Sequence, residues 1–167
     1  MLRVELDLLT GADALRTETY PLDVHRYLGF VVGDEQLGLP IGAVREVARV
    51  PPITEVPRAP RVVRGVIALH GRIVTVIDLR RRLGAPDLPP GEGCRVLMVP
   101  SGDEDVALLV DGVTRIHRVA PGDIEPAAAL PGAPRPHVVG VARLGVERGG
   151  APTLVVLADA AALARLP

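Results

Sequence analysis

Residues 64–80, RGVIALHGRIVTVIDLR, form the clearest structural pattern in the chain. Two runs rich in valine, isoleucine and leucine, residues 62–69 and 73–79, flank the turn His70-Gly71-Arg72. Branched aliphatic side chains suit a pleated sheet, and glycine readily adopts the left-handed backbone that a tight turn requires. The pattern therefore predicts a β-hairpin at this place.

Further strands are predicted on both sides of this hairpin, because turn residues separate short apolar runs along most of the chain. The predicted strands are residues 27–32, 36–41, 95–99, 106–110, 113–119, 138–146 and 153–157. Turns are expected at Gly33-Asp34-Glu35, Ser101-Gly102-Asp103 and Asp111-Gly112. The last of these is interpreted as a hairpin turn.

Other segments are less regular. Val44, Val47 and Val50 indicate either a strand with a bulge or one helical turn. Residues 53–60 are expected to be an extended connection because two prolines remove backbone donors. Residues 80–90 and 120–136 are predicted to be loops, the first a possible internal seam. Residues 158–166 are predicted to be a short C-terminal helix.

The first 24 residues are interpreted as an N-terminal extension, in which Val4, Leu6 and Leu8 alternate as in a short strand. A weak internal similarity links residues 65–78 with residues 140–159, since both have a glycine-led strand followed by an apolar strand ending near aspartate. This similarity indicates two similar small barrels, or it is only the general pattern of a hairpin. The number of strands favours a mainly β fold in which a pair of small barrels shares one apolar interface.

Composition excludes several classes of protein. The chain has 167 residues, is 48% hydrophobic and has a net charge of −1, so we expect a folded core and no general attraction to nucleic acid. All 19 basic residues are arginine, and three aromatic residues offer few platforms for stacking bases. The absence of a long apolar run argues against membrane insertion, and the single cysteine argues against disulfides. A cytoplasmic location is expected.

The residues do not suggest an enzyme, a cofactor site or a metal site. The four histidines are widely spaced, and the sequence contains no phosphate-binding, serine-hydrolase or zinc-protease motif. Cys94 is interpreted as a small core residue and Arg80-Arg81-Arg82 as a solvated loop. Asp78 is expected to accept hydrogen bonds from the backbone or from Arg80 where its strand ends. Recognition of other proteins remains the favoured function.

The order of these segments resembles the CheW-like domain of bacterial chemotaxis coupling proteins, which is also found at the C-terminus of the CheA kinase. The residues that carry the resemblance are YLGFVVGDE (27–35), LGLPI (37–41), VREV (44–47), ITEVP (53–57), Pro60, GVIALHGRIV (65–74) and VIDLR (76–80). The similarity extends more loosely from residue 81 to the end of the chain. Each motif is weak alone, but the ordered series is specific.

The resemblance implies two SH3-like, five-stranded barrels that form intertwined subdomains of one domain, residues 25–167. It also implies a non-catalytic adaptor that couples methyl-accepting chemoreceptors, at their cytoplasmic tips, to the regulatory domain of a CheA-type histidine kinase. The alternative is an interaction module of the same fold in a signalling complex outside chemotaxis. The expected partner-binding residues are Val44, Arg45, Glu46, Arg64, His70 and Arg72.

The chain departs from the family's pattern in two segments. The family usually has Asn-Leu-Arg-Gly where this chain has ALHG at residues 68–71, and it usually has proline where this chain has Thr75. The arginine of that motif is associated with partner contacts. Histidine is shorter and lacks the bidentate fork of a guanidinium group, so His70 is expected to change the contact at this turn.

Overall fold

The structure, a computed structural model, describes residues 3–4, 25–145 and 149–167. Twelve strands and two short α-helices form within these ranges. Six of the strands make the first sheet in the spatial order β1-β4-β7-β8-β6-β5. They are β1 (Arg3–Val4), β4 (Glu46–Arg49), β7 (Arg95–Ser101), β8 (Glu104–Val110), β6 (Arg72–Asp78) and β5 (Val63–Leu69).

The second sheet has the order β10-β11-β12-β3-β2-β9. Its strands are β10 (Ile124–Pro126), β11 (Val138–Leu144), β12 (Thr153–Ala158), β3 (Glu35–Pro40), β2 (His25–Val32) and β9 (Gly112–Val119). The protein is therefore mainly β, as predicted. The short strands β1 and β10 add a sixth strand to each sheet, and the closure of each sheet into a five-stranded barrel stays a prediction.

Each sheet combines strands from both halves of the sequence. The hairpin β2–β3 from the first half lies in the second sheet, whereas the hairpin β7–β8 from the second half lies in the first sheet. In both sheets the strand that follows the exchanged hairpin in sequence crosses to the other sheet: β4 follows β3, and β9 follows β8. Because of this exchange, neither half of the chain completes a sheet alone.

The hydrophobic core has three parts that match this arrangement. The largest cluster takes side chains from both sheets, including Phe30 and Leu37 of the second sheet and Leu97 and Leu108 of the first. A second cluster around Val76 draws on strands of the first sheet, and a third draws on strands of the second. The shared cluster holds the two sheets together through burial of apolar surface.

The internal similarity seen in the sequence corresponds to structural equivalence. The hairpins β5–β6 and β11–β12 occupy corresponding places, since β6 runs parallel to β8 and β12 runs parallel to β3. A register irregularity precedes Gly65 in one hairpin and Gly140 in the other. Each hairpin also leads into a short helix whose first turn is capped by an aspartate side chain, Asp78 or Asp159.

Three sequence predictions of local structure were wrong, and one of them is the predicted loop at residues 120–136, which contains strand β10 and two 3-10 turns. Residues 80–90 were predicted to be a loop, but they begin within helix α1 (Leu79–Leu83), which Asp78 caps and Gly84 ends in a left-handed conformation (φ 76°). Asp111-Gly112 was predicted to be a hairpin turn, but the chain crosses there from the first sheet to the second. A hairpin turn would have kept β8 and β9 adjacent.

Other local predictions have a clear outcome. The segment after Val44 becomes strand β4, which follows a single 3-10 turn at Ile41–Ala43. The predicted C-terminal helix is present as α2 (Ala160–Ala164). In the N-terminal extension the structure describes the backbone of β1, which pairs in parallel with β4, while Leu6 and Leu8 lie outside the described residues. None of the helices in the described part of the chain could cross a bilayer.

Candidate functional site

An open groove of about 720 Å³ lies where strands β4 and β6 approach the β7–β8 turn, and we call it the β4–β6 groove. It brings together four of the six predicted partner-binding residues, namely Arg45, Glu46, His70 and Arg72. Its other lining residues are Leu69, Ile73, Val74, Met98, Asp103, Glu104 and Asp105. The groove therefore joins parts of the chain that are 60 residues apart, from Arg45 to Asp105.

A contact between His70 and Glu46 crosses this groove. His70 Nε2 lies 2.7 Å from Glu46 Oε1, so the β5–β6 turn is tied to β4. The backbone of His70 has a φ of +50°, a left-handed conformation that non-glycine residues adopt uncommonly. The turn thus directs this side chain toward β4, and a protonated imidazole would make the contact an ion pair.

Arg45 continues the polar wall of the groove. Its backbone N–H donates to the carbonyl of Met98 at 2.8 Å, which fixes the start of β4 against β7. Its exposed guanidinium group lies 3.3 Å from the carboxylate of Asp105, and exposed pairs of this kind contribute little to stability. Replacing Asp105 by an acidic group of a partner would therefore cost little free energy at Arg45.

Apolar surface and charge occur side by side at the groove mouth. Ile73 is 73% exposed although Val74, which follows it in β6, belongs to the core, and the preceding Arg72 is also exposed. Three acidic residues at the start of β8 and in the turn before it, residues 103–105, also line the groove. An apolar side chain inside an open groove that is bordered by charges of both signs is compatible with a protein-docking surface. Sequence reasoning missed the three acidic residues.

The other two predicted site residues do not line the groove. Val44 is 2% exposed and packs in the core shared by the two sheets, so its side chain supports β4 from beneath. Arg64 is 15% exposed, and its Nη1 atom donates to Asp78 Oδ2 at 2.9 Å and to Asp87 Oδ1 at 2.8 Å. Both residues therefore contribute to the groove indirectly, by holding in place the strands that carry its lining residues.

Asp78 and its neighbours form a structural network instead of a reactive site. The Oδ1 atom of Asp78 accepts the backbone N–H of Arg80 at 2.9 Å, as the sequence predicted. Arg80 in turn donates to Asp111 at 2.6 Å, and this hydrogen bond raises the pKa of Arg80. The other oxygen of Asp111 accepts the N–H of Gly33 in the second sheet. The network therefore links α1 to both sheets.

The cysteine and the arginine run also have local partners. Cys94 is half-buried, and its Sγ atom accepts the N–H of Gly91 at 3.3 Å. Arg81 pairs with Asp87 at 3.0 Å, so Arg80-Arg81-Arg82 is a bonded helical segment and the prediction of a solvated loop was wrong. No cluster of three potential metal ligands occurs among the residues that the structure describes.

A second groove, of about 480 Å³, occupies the corresponding place on the second sheet. Arg115, His117 and Arg118 of β9 line it together with Gln36 and Thr153, and none of its described lining residues is acidic. His117 packs over Gly29, where a Cβ atom would lie 2.5 Å from the imidazole Nε2. Burial, and to a smaller extent the charge of Arg115, lowers the pKa of His117.

Two intertwined sheets with an open groove bordered by charged and exposed apolar side chains suit a protein-binding module. The family model described as the CheW-like domain matches residues 26–167, and the chain belongs to this family. A member of this family with a solved structure is named a scaffolding protein, which agrees with the expectation of a non-catalytic chain.

Individual relatives agree with this assignment. The chain is 31% identical to the chemotaxis protein CheW of Helicobacter pylori over 104 residues, which are 62% of this chain and 63% of that protein. It is 36% identical to CheW of Rhizobium meliloti over 99 residues, 59% of this chain and 64% of that protein. The chain thus spans a little under two thirds of the length of these relatives.

A relative with another name and a solved structure extend the comparison. Protein FrzA of Myxococcus xanthus is 32% identical over 112 residues, which are 67% of this chain and 70% of that protein. The crystal structure of the scaffolding protein TtCheW from Thermoanaerobacter tengcongensis superposes with a TM-score of 0.71 at 26% identity. That match covers 83% of this chain and 91% of the other.

Proposed function

We propose that this chain is a cytoplasmic adaptor that couples methyl-accepting chemoreceptors to the regulatory domain of a CheA-type histidine kinase. Membership in the CheW-like family supports the adaptor role. The observation that carries the proposed contact surface is the β4–β6 groove, which gathers Arg45, Glu46, His70 and Arg72 around the exposed Ile73. These residues are the predicted contacts to the kinase or the receptor.

The groove suits a protein partner better than a small ligand. It is open, its charged groups lie at the rim, and an apolar side chain stands at its mouth. In such surfaces the apolar residue anchors the partner, while the surrounding charges determine orientation and specificity. The contact between Glu46 and His70 fixes the β5–β6 turn. Arg72 directly precedes the apolar anchor Ile73 in sequence, so the fixed turn also helps to position its guanidinium group.

A second candidate function is a CheW-like module in a signalling complex outside chemotaxis. Two relatives with other names favour it, FrzA of Myxococcus xanthus and PilI of Pseudomonas aeruginosa, which is 35% identical over 86 residues. The binding experiment below separates the two functions, because this second function requires no affinity for a CheA-type kinase or for a chemoreceptor.

Replacing Glu46 with arginine tests the proposed surface. The Glu46→Arg variant loses the contact with His70 and places a third cation beside Arg45 and Arg72. We expect affinity for the regulatory domain of the CheA-type kinase from the same genome to fall at least about tenfold, which corresponds to about 1.4 kcal/mol. Isothermal titration calorimetry on the purified full chain measures this change.

Two further variants make the result interpretable. Glu92→Arg makes the same change of charge outside the β4–β6 groove and should leave binding intact. Val76→Asp places a carboxylate at a fully buried position and should unfold the protein. This variant is the control for loss of folding in the binding assay. If Glu46→Arg also unfolds, Glu46 is structural. If the unchanged protein binds neither kinase nor receptor, the proposed function is wrong.

A further inference from the structure

The contact between His70 and Glu46 is the pair in the β4–β6 groove whose charge varies near neutral pH. His70 Nε2 lies 2.7 Å from Glu46 Oε1, which is within hydrogen-bond distance. Histidine gains or loses its charge between about pH 5 and 8, whereas a guanidinium group stays charged throughout this range. The contact of Arg45 with Asp105 in the same groove therefore stays an ion pair at pH values where the contact of His70 does not.

Protonation changes the nature of this contact. A neutral imidazole can donate one hydrogen bond to Glu46, and only from the tautomer that carries its proton on Nε2. A protonated imidazole adds the attraction between two full charges. Only 20% of the Glu46 side chain is exposed, against 57% for His70, so water screens this pair less than a pair in which both side chains are exposed.

The contact fixes the β5–β6 turn against β4. Glu46 is the first residue of β4 and is paired with Met98 of β7, so its carboxylate is carried by a strand within the sheet. His70 lies in the turn itself, with the left-handed φ of +50°, and Arg72 and Ile73 begin the strand that leaves this turn. A firmer contact therefore holds these two proposed contact residues in a more fixed arrangement, which lowers the entropic cost of binding.

Other charged groups of the groove act on the same contact. Arg45 directly precedes Glu46, Arg72 follows the turn, and Arg3 of β1 is the register partner of Glu46. The remaining acidic groups are Asp103, Glu104 and Asp105. Among the lining residues in the described part of the chain, acidic groups outnumber cationic groups by four to two while the imidazole is neutral. A proton on His70 reduces this excess and favours a partner that presents a carboxylate.

We propose that protonation of His70 fixes the β5–β6 turn to β4 and thereby tightens the binding of a partner at the β4–β6 groove. This inference rests on the proposed function, because it concerns the same groove and the same partner. Histidine makes the affinity adjustable by pH, whereas an arginine at this position would keep its charge at every physiological pH.

A double-mutant cycle on the full chain, without a partner, tests whether the contact depends on pH. It compares the unchanged protein with His70→Asn, Glu46→Gln and the double variant by urea unfolding at pH 6 and pH 8. Asparagine tolerates the left-handed backbone and carries no charge. We expect coupling by a factor of about three in the unfolding equilibrium constant at pH 6 and of less than about 1.5 at pH 8. The other histidines titrate in all four proteins, so their effect cancels. Equal coupling at both pH values would overturn the proposal.

Binding to the regulatory domain of the CheA-type kinase from the same genome tests the effect on the partner. The unchanged protein should bind about three times more tightly at pH 6 than at pH 8, because a larger fraction of the molecules then holds the turn in the binding arrangement. His70→Asn should lose this difference, and His70→Arg should bind with similar affinity at both pH values. His25→Gln removes a histidine outside the groove and should keep the difference.

The two measurements separate this inference from the proposed function. A kinase affinity that is equal at both pH values, or weaker at pH 6, would show that the contact does not control binding and that the proposal is wrong. A difference that persists in His70→Asn would assign the pH dependence to another group, with the same consequence. If the kinase domain binds at neither pH, the proposed function fails, whereas the cycle still decides whether the contact depends on pH.

Discussion

The hairpins β5–β6 and β11–β12 are equivalent in topology, but in the described part of the chain the aspartates that end them have different partners. Both begin with a register irregularity before a glycine and end at an aspartate that caps a helix. Asp78 is 1% exposed and also binds Arg64, whereas for Asp159 the described hydrogen bond of the side chain is to the N–H of Ala161. The aspartate at the end of the first hairpin therefore belongs to a buried ion pair, whereas the aspartate at the end of the second hairpin caps a helix.

This difference indicates what each hairpin contributes. In the first sheet, the network around Asp78 fixes the end of β6, and the other end of β6 presents Arg72 and Ile73 to the β4–β6 groove. In the second sheet, the cap shapes only the entry into α2. We infer that the network around Asp78 helps to hold the first hairpin, whose turn carries the proposed contact residues, in a fixed position.

Removing the two aspartates should give the largest contrast. Asp78→Ala removes one of the two carboxylates that pair with Arg64 and also removes the cap of α1, so we expect a loss of about 2–4 kcal/mol in the free energy of unfolding. Asp159→Ala removes a cap alone and should cost about 1 kcal/mol. Urea unfolding of both variants measures the difference. Equal losses would show that the pair with Arg64 adds nothing to the cap.

The two glycines should give a smaller contrast. At Gly65 a Cβ atom would lie 2.2 Å from the carbonyl oxygen of Thr54, and φ is +152°, so Gly65→Ala strains both packing and backbone. At Gly140 the nearest atom, the carbonyl oxygen of Glu125, would lie 2.7 Å away, and no positive φ adds to the strain. We expect Gly65→Ala to cost more than about 1 kcal/mol and Gly140→Ala to cost less than Gly65→Ala.

Urea unfolding also checks this second contrast. If Gly140→Ala proves the more damaging substitution, the short strand β10 cannot move away from the new side chain, and the two hairpins differ in the opposite sense from the one proposed. A matched control is Gly71→Ala, where φ is +74° but nothing lies within 4 Å of the new Cβ, so it isolates the cost of the backbone conformation.

Much of the fold could be predicted from sequence because alternating apolar residues specify strands locally. The same alternation does not specify which sheet a strand joins, and this is why Asp111-Gly112 was interpreted as a hairpin turn. Helix α1 was missed because three arginines before a proline-rich segment suggested a loop. The signals for a helix were nevertheless present, with Asp78 as N-cap and Gly84 after the last turn.

The site was predictable in part for a similar reason. Glu46 and His70 could be proposed one by one from the resemblance, but their 2.7 Å contact depends on how β4 and the β5–β6 turn approach in space. The acidic residues 103–105 were visible only as a turn, and their place at the groove follows from the exchange of hairpin β7–β8 into the first sheet. Arg64 and Val44 were near the site in sequence but pack inward.

Acidic pH should lower the stability of the second sheet more than that of the first. This is the smallest of the three expected contrasts. Burial lowers the pKa of both His117 in β9 and His137 before β11. Below the ordinary histidine value of 6.5 the unfolded chain therefore binds protons that the folded chain resists. Stability is full above pH 6.5, falls as the pH drops from 6.5 toward the lower folded pKa values, and levels off below them. Hydrogen exchange at pH 7 and pH 5 should show β9 and β11 losing more protection than β5 and β6.

A variant assigns this effect to a residue. His117→Gln keeps a polar side chain over Gly29 but cannot become charged, so β9 should lose its dependence on pH while β11 keeps the part that His137 contributes. Uniform loss of protection in both sheets of the unchanged protein would contradict the assignment. In that case acid acts on the core shared by the two sheets, and the hairpins differ only in the charges around Asp78.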